Sequence, residues 1–233
     1  MKLKTYKRAF VNTLPVMAGY IVLGLGFGIL LRVAGFGALW ALFMSIFIYA
    51  GSMQYVGVSL LSGGASLLTV AVTTMMVQAR HLFYGISLID RYRGTGIKKL
   101  YLMHALTDET YSLVTSSHIP DFLDEKTYYF AVSLFDHLYW ITGCLLGSLA
   151  GAILPFSSEG VDFAMTALFV TIFVEQWLSE KEHRPALIGV GCTLLCLLIF
   201  GSESFLIPAM ALILLSLVLL RTPIEKGEEK KNG

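Results

Sequence analysis

The sequence predicts an all-α fold, a polytopic transmembrane helical bundle of about seven or eight hydrophobic segments, with room for one broken or re-entrant helix. Three observations lead there. Hydrophobic residues make up 56% of the 233 positions and charged residues only 14%, against about 25% charged in soluble domains. Mean hydropathy is +0.72. The charges also cluster, at the N-terminus, around 90–99, 121–126 and 180–184, and at the C-terminus, with long apolar runs between them. A formal net charge of +1 gives no reason to expect a nucleic-acid partner.

A crossing helix needs roughly 20 apolar residues at about 1.5 Å rise each. Phe10–Leu31 qualifies, and its length and lack of a small-x-small cleavage site make it a retained span, not a signal peptide. No charged residue occurs from Val33 to Ala79, and Ser62-Gly63-Gly64-Ala65-Ser66 divides that region into segments near Gly37–Leu61 and Leu67–Ile89. A less apolar helix is expected over Lys98–Ser116. Further segments follow at Thr127–Leu154, Phe163–Ser179, Pro185–Phe200 and Phe205–Leu220. Residues 1–222 therefore read as one transmembrane domain, and 223–233 as a short charged cytoplasmic tail.

Basic residues at span ends set orientation. Lys2, Lys4, Lys7 and Arg8 place the N-terminus in the cytoplasm, at the cytoplasmic membrane. Arg91, Arg93, Lys98 and Lys99 ask for the same side, yet three plain crossings before them would put them opposite. Either an early segment is broken or re-entrant, or this loop breaks the rule.

Glycine is dense in the apolar runs. Gly24 and Gly28 lie in the first span and Gly51 midway through the second. Gly143 and Gly147 recur at a four-residue spacing suited to close helix packing. Cys144, Cys192 and Cys196 sit inside apolar runs with no zinc or redox spacing and read as core residues.

An ionisable group at bilayer depth costs at least about 2.5–3.5 kcal/mol, so it needs a partner or a wet cavity. If the third segment ended at Ala79 it would reach only roughly 20 Å, so Arg80 and His81 lie within it. Arg80 either offers a guanidinium fork to a substrate's carboxylate, pairs structurally with Asp108 or Asp136, or snorkels to a nearby interface. On a continuous helix over 98–116, Tyr101, His104, Asp108, Tyr111 and Thr115 would share one face, with Glu109 a quarter-turn away. Asp136 lies roughly 13 Å down its helix, on the face of Trp140, Gly143 and Gly147. Gln54 is central in its segment and either bonds a neighbouring helix or lines a pathway. Glu175 and Gln176 read as helix-end residues and Glu203 as a loop carboxylate.

Four landmarks carry a family resemblance: Ala50-Gly51-Ser52-Met53-Gln54-Tyr55, Arg80-His81-Leu82-Phe83-Tyr84-Gly85, Thr107-Asp108-Glu109-Thr110-Tyr111, and Trp140 followed by Gly143 and Gly147. In order and hydropathic setting they resemble the large subunit of the two-component branched-chain amino-acid exporters, the AzlC/BrnF type, over roughly residues 8–155. Gln78 departs from the asparagine expected there. The resemblance implies export of hydrophobic amino acids, coupling to protons, and pairing with a small membrane subunit of the AzlD/BrnE type. Independently of the resemblance, their polarity inside apolar segments makes Gln54, Arg80, His81, Asp108, Glu109 and Asp136 the candidates for substrate binding or coupling.

No cofactor is expected, since no G-x-x-x-x-G-K-[ST] segment occurs. Nor is a metal, since no histidine pair has H-x-x-x-H spacing. Other classes remain in view: a carrier for a different small solute or cation, a subunit without a pathway of its own, and an intramembrane enzyme.

Overall fold

The computed structural model describes residues 2–153 except 118 and 121, residues 170, 173–174 and 177–178, and residues 183–220. It is all helical among these residues. The chain divides into two units, Met1–Met165 and Thr166–Gly233. The expected segment Phe163–Ser179, Glu175 and Gln176, and the tail 223–233 fall largely or wholly outside the described residues.

The first unit is built on two long helices, α1 (Lys2–Val33) and α7 (Glu125–Ile153), each long and apolar enough to cross a membrane. They run parallel: Asn12 donates to the Tyr128 hydroxyl near their beginnings at 2.7 Å, and Gly24 and Gly28 meet Gly143 and Gly147 farther along. Contact there is backbone to backbone. A Cβ on Gly24 would stand 2.8 Å from the Cys144 nitrogen, and one on Gly143 would stand 2.9 Å from the Tyr20 carbonyl oxygen. A Cβ on Gly28 would collide with the Cys144 carbonyl, and one on Gly147 would lie 2.7 Å from the Leu25 Cα. Only residues without side chains allow such an approach, and dispersion over that seam holds the pair together where lipid supplies no hydrophobic drive.

The second and fourth segments are not single helices: the second is the broken early segment that the sequence reading allowed, and the fourth corrects the single helix expected over Lys98–Ser116. The second is α2 (Ala38–Phe47) and α3 (Gly51–Ser62), and the fourth is α5 (Lys98–His104) and α6 (Asp108–Ser116). Each pair folds back on itself. Met44 of α2 comes within van der Waals reach of Gly57 of α3, a pairing that a continuous helix would separate by roughly 20 Å. In the other pair, α5 runs inward beside α7 through Lys98 over the Phe130 ring and Tyr101 bonded to His137. α6 then runs back, so that Val114 accepts from Arg91 and Ser117 meets the Tyr128 hydroxyl. Between the two pairs, α4 (Leu67–Ser87) spans the unit, its start capped by the Ser66 hydroxyl accepting from the Thr69 amide.

This topology removes the conflict over the basic loop. Because α2 and α3 enter and leave at the same end, the chain reaches residues 88–97 on the side of the α1 N-terminus. Arg91 there bonds the Tyr129 hydroxyl, and Tyr92 shares a core with Ala9 of α1 and Tyr128 of α7. Ahead of α7, the Asp124 carboxylate accepts from the Thr127 hydroxyl and from backbone amides, which hold its pKa below the ordinary carboxylate range.

In the second unit, α8 (Arg184–Ser204) packs on α9 (Leu206–Leu219), with Cys192 Sγ 3.7 Å from the Ser216 hydroxyl. Gly201, at φ +73°, interrupts α8 where the two apolar runs meet. Its stretch Arg184–Gly201 is the third helix apolar and long enough to span, among the described residues.

Gly28→Ala forces the α1 and α7 backbones apart and should destabilise the protein by at least about 1–3 kcal/mol, whereas Gly19→Ala, with open space at its Cβ, should be neutral or better. Thermal unfolding of the detergent-solubilised variants checks the contrast.

Candidate functional site

Polar groups gather where the two folded-back pairs meet. At the tip of the first, Tyr49 adopts φ +42°, rare for an aromatic residue, and its amide bonds back to the Met44 carbonyl at 3.1 Å. Such a conformation costs about 1–3 kcal/mol. Packing maintains it, since Tyr49 is buried and stacks on His137 with ring centroids 4.1 Å apart.

Ending α2 mid-protein frees carbonyls that bulk water cannot reach. Two histidines answer them. His137 Nε2 lies 3.1 Å from the Ser45 carbonyl, and His104 Nε2 lies 2.9 Å from that of Ile46. A carbonyl only accepts, so each Nε2 carries the proton. His137 Nδ1 is then the acceptor for the Tyr101 hydroxyl at 3.1 Å. Both imidazoles thus serve as helix-end partners.

The start of α3 is met from two sides. Gln54 Oε1 accepts the Ala50 amide at 3.3 Å and the Trp140 indole N–H at 2.8 Å. Gln54 is fully buried, and its Nε2 has no hydrogen-bond partner among the described residues. Gly51 lies against the Trp140 ring at ordinary contact distance, so the break falls on Tyr49, not on the glycine.

At the second break, Thr107 caps α6 by accepting the Thr110 amide at 3.3 Å. Asp108 and Glu109 occupy the first helical turn, where the helix dipole favours negative charge. Arg80 Nη1 pairs with Asp108 Oδ2 at 2.8 Å, and Arg80 Nη2 donates to the Ser52 hydroxyl on α3 at 3.1 Å. The pair is only partly enclosed, with side chains 39% and 35% exposed. Arg80 Nε and Asp108 Oδ1 are buried atoms without partners among the described residues.

Glu109 and Asp136 belong to a separate, deeper set. Tyr20 donates to Glu109 Oε2 at 2.6 Å and lies 2.7 Å from the Thr107 hydroxyl. Thr107 reaches Thr110 at 3.1 Å, and Thr110 donates to Asp136 Oδ2 at 2.8 Å. Asp136 is completely buried.

Of the sequence alternatives for Arg80, the structure realises the pair with Asp108. Asp136 has Thr110 as its partner instead. The expected single stripe from Tyr101 to Thr115 does not form, because the helix ends at His104 and restarts at Asp108. His81 is half-buried beside Arg80, edge-on to Tyr84, with no partner for Nδ1 among the described residues. Sequence reasoning missed Tyr20, Tyr49, Ser52 and Thr110 as members of this polar region. For Thr110 a signal existed: Thr107-Asp108-Glu109-Thr110 is a helix-start pattern, a capping threonine followed by acidic first-turn residues.

The AzlC protein family matches residues 15–154. The chain is 45% identical over 223 residues to the branched-chain amino acid transport protein AzlC of Bacillus subtilis (strain 168), covering 96% of this chain and 88% of that one. It is 42% identical over 220 residues to an uncharacterized membrane protein of Haemophilus influenzae, covering 94% and 90% of the two chains. It is 26% identical over 186 residues to the inner membrane protein YgaZ of Escherichia coli K12, covering 78% and 76%. No solved structure matches.

Replacing Trp140 by Phe keeps the ring against Tyr20 and Phe27 but removes the donor to Gln54. The loss should be about 1–3 kcal/mol of stability, read as a lowered midpoint in thermal unfolding.

Proposed function

This chain belongs to the AzlC family, and on that premise we propose that it is the large subunit of a two-component exporter of branched-chain or other hydrophobic amino acids, driven by protons. Its small partner is a membrane subunit of the AzlD/BrnE type. The observation that carries the reading is the partly exposed Arg80–Asp108 ion pair, in which Arg80 of α4 reaches Asp108 and Ser52 at the starts of α6 and α3, one half of each folded-back pair.

An amino acid at neutral pH is a zwitterion. Its carboxylate suits the Arg80 fork and its ammonium suits the Asp108 carboxylate. When the substrate enters, one internal ion pair is exchanged for two external ones, so the net charge of the site is unchanged. That matters inside a membrane, where an uncompensated charge is expensive. Arg80 Nε and Asp108 Oδ1 have unused capacity for this exchange. The Ser52 hydroxyl and the N-terminal end of α3 add donors beside the carboxylate. Interrupted helices with their ends at a central site suit alternating access. Gln54 and His81 flank the region as candidate pathway groups. The shared end of the α1 N-terminus and the basic 91–99 stretch supports a cytoplasmic N-terminus by the positive-inside rule, with the protein in the cytoplasmic membrane.

Proteoliposomes holding this chain and its small partner should move labelled valine or leucine against its gradient when a pH difference is imposed. Arg80→Ala and Asp108→Asn each remove one charge-assisted contact worth about 1.5–3 kcal/mol and should slow transport roughly 10- to 150-fold. Wild-type rates in both variants would remove these residues from the substrate site.

A further inference from the structure

We propose that Glu109 and Asp136 hold one proton between them, and that the hydroxyls of Tyr20, Thr107 and Thr110 form the line along which it moves. The inference deepens the proton-driven reading above by assigning the coupling proton to a site apart from the Arg80–Asp108 pair.

The basis is a count of hydrogens. The line from Glu109 through Tyr20, Thr107 and Thr110 to Asp136 has four oxygen–oxygen links, at 2.6, 2.7, 3.1 and 2.8 Å. Three hydroxyls supply three protons, and each hydroxyl can donate in either direction along the line. With both carboxylates ionised, one link is therefore without a proton, and two negative charges sit in one enclosed site. With one carboxyl protonated, all four links are filled and a single charge remains. With both protonated the links are filled as well, but the fifth proton must sit on a carboxyl oxygen outside the line, such as Asp136 Oδ1, which has no partner among the described residues. The singly protonated state is the one that fills every link with no proton left over. Enclosure gives that difference its weight, because Tyr20, Thr107, Thr110 and Asp136 are all buried and only the Glu109 end of the line is partly exposed. The Thr110 amide on Thr107 fits both directions, since Thr107 Oγ1 then accepts twice and donates once in either case.

The same count defines the movement. Starting with the proton on Asp136 Oδ2, Asp136 gives it to Thr110, Thr110 to Thr107, Thr107 to Tyr20 and Tyr20 to Glu109 Oε2. Four O–H bonds break and four form, and the net result is one proton carried from α7 to the first turn of α6. Glu109 adjoins Asp108, so the proton's position is felt one residue from the ion pair. Other titratable groups face the line. Tyr49, at the tip of the α2–α3 pair, lies near both carboxylates, Tyr101 of α5 and Tyr139 of α7 lie near Asp136, and Asp108 lies beside Glu109. Asp136 Oδ1 and the Tyr49 hydroxyl are buried without partners among the described residues, so Asp136 is not fixed by other bonds.

Infrared difference spectroscopy of the full chain in lipid vesicles, titrated without any amino acid, reads this directly. Wild type should show one buried carboxylic-acid carbonyl band, with the intensity of a single group per chain, that both Glu109→Gln and Asp136→Asn alter. Tyr20→Phe preserves both carboxyls and the ring against Trp140 but breaks the line. It should divide the behaviour, so that each acid substitution then affects only its own band. A wild-type band that responds to just one of the two acids, an intensity of two groups, or a Tyr20→Phe spectrum like wild type would overturn the proposal. Because no substrate is present, the shared band appearing in a protein that moves no valine or leucine would support the shared proton while removing the amino-acid reading.

Discussion

The seam between α1 and α7 is the constraint on which the rest depends. Where Gly24, Gly28, Gly143 and Gly147 let the two backbones touch, the side chains on either side of the seam have a fixed address. Tyr20 is set edge-on to Trp140, with centroids 5.5 Å apart, and Phe27 stacks on the same indole. Trp140 in turn holds Gln54 and so the start of α3. Asp136, one turn before Trp140, faces the start of α6 through Thr110. A parallel pair of rods, locked in register by small residues, thus positions the tips of two folded-back helix pairs that could not hold themselves.

Those tips illustrate how a low-dielectric surrounding disciplines a chain. Each interruption of a helix leaves carbonyls and amides that water cannot satisfy. Here the carbonyls at the end of α2 are met by His104 and His137, and the amide at the start of α3 by Gln54. The start of α6 is met by Thr107. The two pairs enter from opposite ends and meet midway, each preceded by a long helix, α1 in one case and α4 in the other. The order of one long helix followed by a folded-back pair thus occurs twice in the unit, in opposite directions.

Much of this was legible in the residues. Hydropathy marked α4 and α7 to within two positions at either end and the end of α1, though α1 begins eight residues before the expected Phe10, and the four-residue glycine spacing marked the side of α7 that faces α1. The misplaced basic loop left two readings open, an early segment that fails to cross or a loop that breaks the positive-inside rule, and the folded-back α2–α3 pair accords with the first. What stayed hidden was the break points. Apolar periodicity continues straight through Phe47–Ala50, and the residue that turns the chain is Tyr49, a type that local preference would never nominate for positive φ. Only stacking against His137, 88 positions away, makes that turn tolerable. The deep hydroxyl line was equally invisible, since tyrosine and threonine are common in apolar helices and their alignment comes from α1, α6 and α7 together.

One helix stands apart in how little anchors it. α4 has no buried residue, and Leu67, Met75 and Phe83 turn broad apolar surface outward. Its holds on the remainder of the unit are few: Arg80 on Asp108 and Ser52, Ser87 on the Tyr111 hydroxyl, and Tyr84 stacked on the Tyr111 ring. Loosening a helix of this kind sacrifices scarcely any packed volume. Under the proposed function, a cargo that captures Arg80 would also unfasten the strut that carries it, so occupancy and mechanical release would become a single event.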